Sequence, residues 1–497
     1  MQREPESLAQ RSLQAIKWNY LGTVGRVAAQ LVAQIALARL LGPEVIGSFG
    51  YALLLGGLLG LLIDQGLGWA LVHASTVSEE ESAIVFTRVM LAAVLCTLGC
   101  FWLADDIARL MGATDAARAI RYFSPAFIFM GLSVVTQAKL RKDLRFKELQ
   151  IAQTLSYFVA YPVVGVGLAV AGMGVTSLVA AWMLQALLAF VMMNRHTSGG
   201  LRLANPFTTL PFGSFGRDIL AINIVNWFVD NVGAAFIGRL FGAASLGLYN
   251  TTLSLVRTPA NHLVVNLQTV LFPTAAAAKA DLPVLGRLYS TALAVVLFIA
   301  IPVFAFVAVA APAIVATLLG AKWLAAGALL PPIALAMIPH VISSITGSTL
   351  SGRGDQRIEL ASQTLILVLL AACYATLPIT SVAEVCWLFL SLYVLRAAFL
   401  MVVASRKLQL TYRIAAVFRG PATVALIGSA IYLAAVPASN LPAIGSMLAG
   451  CALFGLTGLI GLALLPRFFV AAPTRQLLNR FGNSKGAIAS VARWMAR

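Results

Sequence analysis

Residues 39–49 read RLLGPEVIGSF, and residues 239–249 read RLFGAASLGLY. At an offset of 200 residues, an arginine, a leucine and two glycines are identical, and the aromatic residue Phe49 corresponds to another aromatic residue, Tyr249. Each copy joins the end of one long apolar run to the start of the next. Similarity at a fixed long step indicates an internal duplication. In an apolar chain it predicts two homologous transmembrane bundles, an arrangement that transporters use to build a binding site at their interface.

A second pair of similar segments extends the duplication. Gln153, Thr154 and Leu155 follow one charged turn, and the same three residue types recur at 363–365 after another. The offset here is 210, so a short insertion lies between the two pairs. The duplication therefore covers six spans in each half.

The composition indicates a membrane protein. Of 497 residues, 60% are hydrophobic and only 11% are charged, and the mean hydropathy is +0.90. Soluble domains are about one quarter charged and less than half apolar. We therefore expect an all-α polytopic membrane protein.

A helix needs roughly 20 apolar residues to cross the hydrocarbon layer. This criterion predicts about fourteen spans, with 311–320 as a short interfacial piece. The predicted spans are 17–41, 45–69, 83–104, 118–138, 149–170, 174–194, 215–240, 246–270, 285–309, 324–350, 358–378, 381–404, 414–435 and 441–465.

The spans group into five predicted segments. They are a cytoplasmic segment at 1–16, a six-helix bundle at 17–204, a second at 205–410, two additional spans at 411–465 and a basic amphipathic tail at 466–497. No predicted loop is long enough for a folded domain outside the membrane.

Basic residues predict the orientation. The net charge is +17, and an even number of spans places both termini on one side. With the predicted spans, 26 of the 35 lysines and arginines lie on the side of the termini, and six lie on the opposite side. Lysine and arginine concentrate on the cytoplasmic side of spanning proteins. We therefore expect N-in, C-in topology, with the positive charge facing anionic lipid headgroups rather than nucleic acid.

Polar residues inside the spans predict a wet cavity walled by spans 1, 2, 7 and 8. In span 1, Arg26 and Gln30 lie on one helix face with other polar residues, and Asn226 and Asp230 occupy the same positions in span 7. Lipid would not tolerate such a face. The candidate binding residues are Arg26, Gln30, Arg39, Asn226, Arg239, Arg257 and Asn261.

Arginine stays charged when buried, and its planar fork matches phosphate oxygens. Arg26 and Arg257 therefore favour an anionic, phosphate-bearing cargo, while Arg39 and Arg239 lie at the rim. The alternative is internal pairing of Arg26 with Asp230, or of Arg257 with Asp64, while Arg39 and Arg239 at the span ends can reach out to the interface. The two aspartates are also candidates for coupling transport to H⁺ or Na⁺, and no other cofactor or metal is expected.

Several segments resemble the Wzx-type polysaccharide transporters of the multidrug/oligosaccharidyl-lipid/polysaccharide exporter (MOP) superfamily, in the colanic-acid-exporter-like branch. The similar segments are ARLLGPEVIGSFGYA at 38–52, IDQGLGWALVHAS at 63–75, QAKLRKDLRFKEL at 137–149, FIGRLFGAASLGLYN at 236–250 and LFPTAAA at 271–277. Their order and spacing, rather than any one of them, carry the match.

The resemblance implies two pseudo-symmetric six-helix bundles and two extra helices, as in the multidrug MATE exporters. It implies a bacterial inner-membrane flippase that moves an undecaprenyl-pyrophosphate-linked oligosaccharide for surface polysaccharide synthesis by alternating access. Membrane lipids, a polysaccharide polymerase and chain-length or export machinery would be its partners. No covalent chemistry is required, so an enzyme is not expected.

Three other functions remain open. A lipid II flippase of the same superfamily would share the span count and a cationic cavity. A multidrug antiporter would have twelve spans and less positive charge. A membrane-embedded polymerase would need a large loop, which the sequence lacks. A glycosyltransferase would need a catalytic pair of acidic residues beside a loop, which we do not expect here.

Overall fold

The protein is helical throughout the part that the computed structural model describes, which comprises residues 30–197, 202–279, 281–410, 415–439 and 441–464. The predicted segments 1–16 and 466–497 lie outside these residues, as does most of the first predicted span. The chain divides into two compact units, unit 1, Met1–Asn250, and unit 2, Thr251–Arg497.

Unit 1 contains ten helices in its described part, followed by the first part of an eleventh. They are α1 Gln30–Leu41, α2 Pro43–Asp64, α3 Leu67–His73, α4 Glu79–Trp102, α5 Ala104–Leu110, α6 Ala117–Phe123, α7 Ala126–Lys142, α8 Phe146–Phe158, α9 Val166–Val170, α10 Val175–Asn194 and α11 Gly213–Ala277.

Unit 2 contains the rest of α11 and seven further helices in its described part. They are α12 Leu282–Val309, α13 Ala311–Leu318, α14 Leu330–Arg353, α15 Gln356–Thr376, α16 Val382–Lys407, α17 Ala415–Ala435 and α18 Ala443–Leu464. Helix α14 packs between α12 and α16, and α17 packs against α12 and α18. The short helix α13 corresponds to the interfacial segment predicted at 311–320.

The number of spans is compatible with fourteen. By length and hydropathy, eleven helices of the described residues can cross a membrane, or twelve with α6 and α7 as one span bent by 45°. The 65 residues of α11 form two helices joined at Gly242, where the backbone is not helical. Each part is longer than the roughly 20 residues that a span needs, so α11 holds two spans. Helix α1 is the described end of the first predicted span.

The repeated turn has the same backbone shape in both copies. Gly42 precedes α2 with φ 82° and ψ 172°, and Gly242 interrupts α11 with φ 79° and ψ −176°. A side chain is disfavoured at such positive φ values. The glycines shared by the two copies therefore specify the same turn between successive spans.

Five residues after each turn, a second shared glycine permits α2 and α11 to cross closely within unit 1. A methyl group on Gly47 would lie 1.7 Å from the Ala243 carbonyl oxygen, and one on Gly247 would lie 1.9 Å from that of Pro43. Positions 43 and 243 are themselves repeat equivalents. The crossing is therefore built from equivalent residues of the two copies.

Two local features explain how the helices begin and bend. Ser78 and Glu81 form the capping box at the start of α4 that their spacing predicts: the Glu81 amide donates to Ser78 Oγ at 3.0 Å, and the Ser78 amide donates to Glu81 Oε2 at 2.7 Å. Between α8 and α9, the segment Val159–Gly165 is π-helical and contains Pro162. Proline removes a backbone donor from the helix, and π turns are frequent near functional sites.

Candidate functional site: a polar cavity within unit 1

A cavity of about 680 Å³ lies among α2, α3, α7, α8 and α10 of unit 1. Its volume is in the range of roughly 300–1,000 Å³ that is typical of small-molecule sites. Its described lining contains one carboxylate, that of Asp64, and one guanidinium, that of Arg141. Five side-chain amides line the rest: Gln30, Gln137, Gln153, Gln185 and Asn223.

A break between α2 and α3 places two groups at the cavity. Gln65 and Gly66 both have positive φ, 53° and 70°, and they end α2 and begin α3. A methyl group on Gly66 would lie 2.1 Å from the Gly216 carbonyl oxygen, so this position requires glycine. The Gly68 amide then donates to Asp64 Oδ1 at 3.2 Å. The turn therefore fixes Asp64 beside the exposed ring of Trp69.

Arg141 lies one residue before the end of α7. Its guanidinium lies 4.9 Å from the centre of the Trp69 ring, and its Nη2 donates to Gln137 Oε1 at 3.3 Å. Such a cation–π contact is worth roughly 0.5–2 kcal/mol. Asp64 lines the same cavity, although no ion pair joins it to Arg141 among the described residues. Arg141 therefore presents a positioned positive charge to the cavity.

The neighbouring Lys142 anchors the end of α7 to α3. Its Nζ donates to the Ala74 carbonyl oxygen at 2.6 Å and to that of Leu71 at 3.4 Å. Lys139, one turn earlier, pairs with Glu79 at 3.2 Å. These contacts hold the last turn of α7 in place, so the direction of Arg141 is set by its surroundings.

Three aromatic rings line the cavity: Trp69, Tyr157 and Trp182. Tyr157 stacks on Tyr161 with 4.7 Å between ring centres, and Tyr161 belongs to the π-helical segment. Trp182 packs against Phe123 at 4.9 Å. Neighbouring rings thus hold two of the three aromatic side chains.

The predicted site residues of unit 1 differ in burial and in whether they line the cavity. Gln30 and Asp64 line the cavity together. Asn226 is half-buried on α11, one turn from the lining residue Asn223, and Asp230 is exposed. Arg26 lies outside the described residues.

The two predicted rim arginines are exposed. Arg239 donates to the Leu110 carbonyl oxygen, so it holds the loop that follows α5. Neither residue is among those that line the cavity. Their role in binding stays a prediction.

The predicted residues of unit 2 lie on α11. Arg257 and Asn261 are half-buried, and Asn261 Oδ1 is 3.3 Å from His340 Nε2 on α14. Gln268 donates to the Ser344 carbonyl oxygen at 3.0 Å. Asn261 thus takes part in a polar seam between α11 and α14, and its role in cargo binding stays a prediction.

Arg141 was not among the predicted site residues. The sequence KLRKDLRFKE contains five basic residues within ten positions, so it predicts a cytoplasmic loop. In the structure α7 continues through Lys142, which brings Arg141 into the cavity. A signal was present, because Gln137 and Arg141 are four residues apart, as are neighbours on one helix face.

A second pocket of about 770 Å³ lies at the other end of unit 1, beside the start of α2. Its lining includes Glu44, Asp105, Arg118 and Arg121. Arg121 Nη2 pairs with Asp105 Oδ2 at 2.6 Å. Like the first cavity, this pocket is lined by residues of both charges, but short helices and loops supply much of its lining.

Comparison with known proteins identifies the family. The polysaccharide biosynthesis protein family matches residues 36–328. The lipopolysaccharide biosynthesis protein WzxC of Escherichia coli K12 is 24% identical over 345 residues, which are 68% of this chain and 69% of WzxC. The succinoglycan biosynthesis transport protein ExoT of Rhizobium meliloti is 26% identical over 262 residues, 52% of each chain.

The fold also matches a solved structure. The lipid II flippase MurJ in an inward closed conformation superposes with a TM-score of 0.72, over 90% of this chain and 98% of that one, at 12% identity. At such identity the likeness concerns the fold. The family match shows that this multi-pass, all-helical membrane protein belongs to the polysaccharide biosynthesis protein family, and the likeness to MurJ shows that it shares the fold of that protein.

Proposed function

We propose that this protein is a flippase for a lipid-linked oligosaccharide. It moves an oligosaccharide repeat unit on undecaprenyl pyrophosphate from the cytoplasmic to the periplasmic leaflet of the bacterial inner membrane. The cavity of unit 1, with Arg141 held between Trp69 and Gln137, is the observation that carries this proposal. The names of WzxC and ExoT support a polysaccharide pathway.

The anionic part of such a cargo is its pyrophosphate. A guanidinium binds phosphate oxygens through two parallel N–H donors, and it stays charged in a membrane-embedded cavity. Among the described residues, Arg141 makes one side-chain hydrogen bond, through Nη2, and a guanidinium has further N–H donors that a phosphate could accept from. The cavity thus offers a fixed positive charge to a cargo whose glycan varies between organisms.

Transport of this kind requires no bond to be made or broken, so we propose that the protein is not an enzyme. The headgroup passes through the polar cavity while the prenyl chain remains in lipid. Alternating access, in which the cavity opens to one side and then to the other, fits the repeat architecture. The coupling ion, H⁺ or Na⁺, is left open, with Asp64 and Asp230 as its candidate sites.

We also propose N-in, C-in orientation, supported by the distribution of lysine and arginine. In this orientation α7 ends at the cytoplasmic face. Arg141 is then at the level of the inner-leaflet phosphates, where the cargo is made. A polysaccharide polymerase and chain-length or export proteins would receive the product on the other side.

A complementation experiment tests the proposal. Arg141→Ala, expressed in cells that lack the native gene, should reduce surface polysaccharide at least tenfold while the amount of protein in the membrane is unchanged. The matched control is Arg109→Ala, since Arg109 is an exposed arginine of unit 1 that pairs with Asp106 outside the cavity. Normal polymer from Arg141→Ala would refute the role of this cavity. Loss of cell-wall synthesis instead of polymer would favour the lipid II alternative, and drug sensitivity alone would favour the antiporter.

A further inference from the structure

We infer that the second pocket of unit 1, beside the start of α2, binds the zwitterionic head group of a bilayer phospholipid, a phosphate that carries a primary ammonium. The pocket has a volume of about 770 Å³, and its described lining shares no residue with that of the polar cavity. The ligand is a lipid of the surrounding membrane and not the transported cargo, so this site goes beyond the proposed function.

The pocket lies where several membrane-spanning helices begin or end. Helices α2 and α10 begin beside it, at Pro43 and Val175. Helix α4 ends at Trp102, three residues before the lining residue Asp105. A spanning helix ends near the edge of the hydrocarbon layer, so the pocket lies at the depth of the lipid head groups. In the proposed orientation this is the periplasmic leaflet.

Exposed apolar side chains border the pocket. Tyr122 and Met173 line it and are 46% and 47% exposed, and Trp102 at the end of α4 is 75% exposed. Arg121 Nε donates to the Phe101 carbonyl oxygen at 3.3 Å, which ties the end of α4 to the pocket. Tryptophan and tyrosine are typical of the layer between head groups and hydrocarbon. A lipid whose head group enters the pocket therefore finds apolar surface for its acyl chains beside it.

The charged side chains of the described lining are of both signs, and two of them neutralise each other. Arg121 Nη2 binds Asp105 Oδ2 at 2.6 Å. Glu44, Asp115 and Arg118 are exposed at the pocket, and none of these three side chains makes a hydrogen bond or an ion pair with the described residues. The pocket thus offers one guanidinium and two carboxylates to a ligand.

These groups match a phosphate joined to a primary ammonium. The planar fork of Arg118 suits phosphate oxygens, and a primary ammonium has three N–H donors for the carboxylates of Glu44 and Asp115. The head group of phosphatidylethanolamine contains both parts.

Two other common head groups fit less well. The anionic head group of phosphatidylglycerol would meet two carboxylates and one guanidinium, so it would be repelled. The quaternary ammonium of phosphatidylcholine has no N–H donor and is bound by cages of several aromatic rings, whereas the described lining contains one ring, that of Tyr122. The pocket therefore favours phosphatidylethanolamine over both.

The test measures lipid binding to the full-length protein in detergent by native mass spectrometry. The probes are dioleoyl phosphatidylethanolamine, its N,N-dimethyl derivative, phosphatidylcholine and phosphatidylglycerol. Phosphatidylethanolamine should bind about three- to tenfold more tightly than phosphatidylcholine or phosphatidylglycerol, and the dimethyl lipid should lie between the first two. Glycerophosphoethanolamine, which has the same head group without acyl chains, should not displace the lipid at equal concentration.

Variants assign the preference to the pocket. Glu44→Gln/Asp115→Asn should bind phosphatidylethanolamine and phosphatidylcholine equally, because the ammonium has lost its acceptors. Arg118→Gln should weaken the binding of both lipids by the same factor, about threefold. The matched controls are Asp106→Asn and Arg109→Gln, since these exposed residues pair with each other and do not line the pocket. Neither control should change the preference or the affinity.

Equal binding of phosphatidylethanolamine and phosphatidylcholine to the wild type would overturn the inference, as would a full preference in Glu44→Gln/Asp115→Asn. Displacement by glycerophosphoethanolamine as effective as by the lipid would also overturn it, because the ligand would then be a soluble ethanolamine phosphate. These readouts are independent of polymer synthesis in Arg141→Ala, so failure of this inference and failure of the proposed function are separate results.

Discussion

Replacing Gly47 with alanine should disrupt unit 1 where α2 and α11 cross. The added methyl group would lie 1.7 Å from the Ala243 carbonyl oxygen and 3.0 Å from the Gly247 nitrogen. Both atoms are backbone, so no side-chain rotation can relieve the clash. The helices would have to separate by at least about 1.3 Å, and such overpacking costs about 3 kcal/mol.

The assay is thermal unfolding of the purified protein in detergent. A loss of about 3 kcal/mol in a unit of this size lowers the midpoint by about 5–10 °C. Gly99→Ala is the matched control, because Gly99 is also in a long helix of unit 1 and a methyl group there meets nothing within 4 Å. Equal midpoints for Gly47→Ala and Gly99→Ala would refute the close crossing.

Two further substitutions test other features. Ser78→Ala removes the side-chain acceptor of the capping box and should destabilise α4 by about 1 kcal/mol, measured as faster hydrogen exchange at the Glu81 amide; unchanged exchange would contradict the cap. Arg396→Leu leaves the largely buried Glu359 carboxylate without its partner at 2.5 Å and should cost about 3–5 kcal/mol. The double variant Glu359→Leu/Arg396→Leu should restore most of that stability in the same unfolding assay, and a double variant no more stable than Arg396→Leu would refute the pairing argument.

The sequence predicts the helices well because hydropathy and length decide which segments can span a membrane. The repeated glycines likewise predicted equivalent turns, and the structure gives Gly42 and Gly242 the same backbone angles. It did not predict the bend of 45° between α6 and α7 or the π-helical segment at Pro162. A proline marks both places, but proline is also common in straight membrane helices, so it does not specify a geometry.

The cavity was harder to predict than the fold. The sequence argument relied on charged and polar residues that are costly in lipid, and two of the residues it named, Gln30 and Asp64, line the described cavity. Their roles stay predictions. Arg141 resembled a loop residue because it belongs to a basic cluster. Gln153, Gln185 and the aromatic rings gave no signal, because single glutamines, tyrosines and tryptophans are ordinary in spans. Only the packing of α7, α8 and α10 shows that they line one cavity.

The duplication itself explains why the described cavity belongs to one half. At the offset of 210, Leu140 and Leu350 correspond and both are fully buried, while Gln137 of the cavity corresponds to Gly347. In unit 2, Gly347 instead accommodates Glu359: a methyl group there would lie 2.3 Å from its Oε2.

Glu359 in turn binds Arg396 of α16, and Gln363, the repeat equivalent of Gln153, donates to Glu359 at 3.0 Å. A buried pair of this kind satisfies its own charges and leaves no cation for a ligand. The same helical scaffold therefore holds an open polar cavity in unit 1 and a closed ion pair in unit 2. The two copies thus share their turns but differ in these side chains. At the diverged positions, Gln137 lines a cavity with Arg141 in unit 1, whereas Gly347 makes room for Glu359 and its partner Arg396 in unit 2.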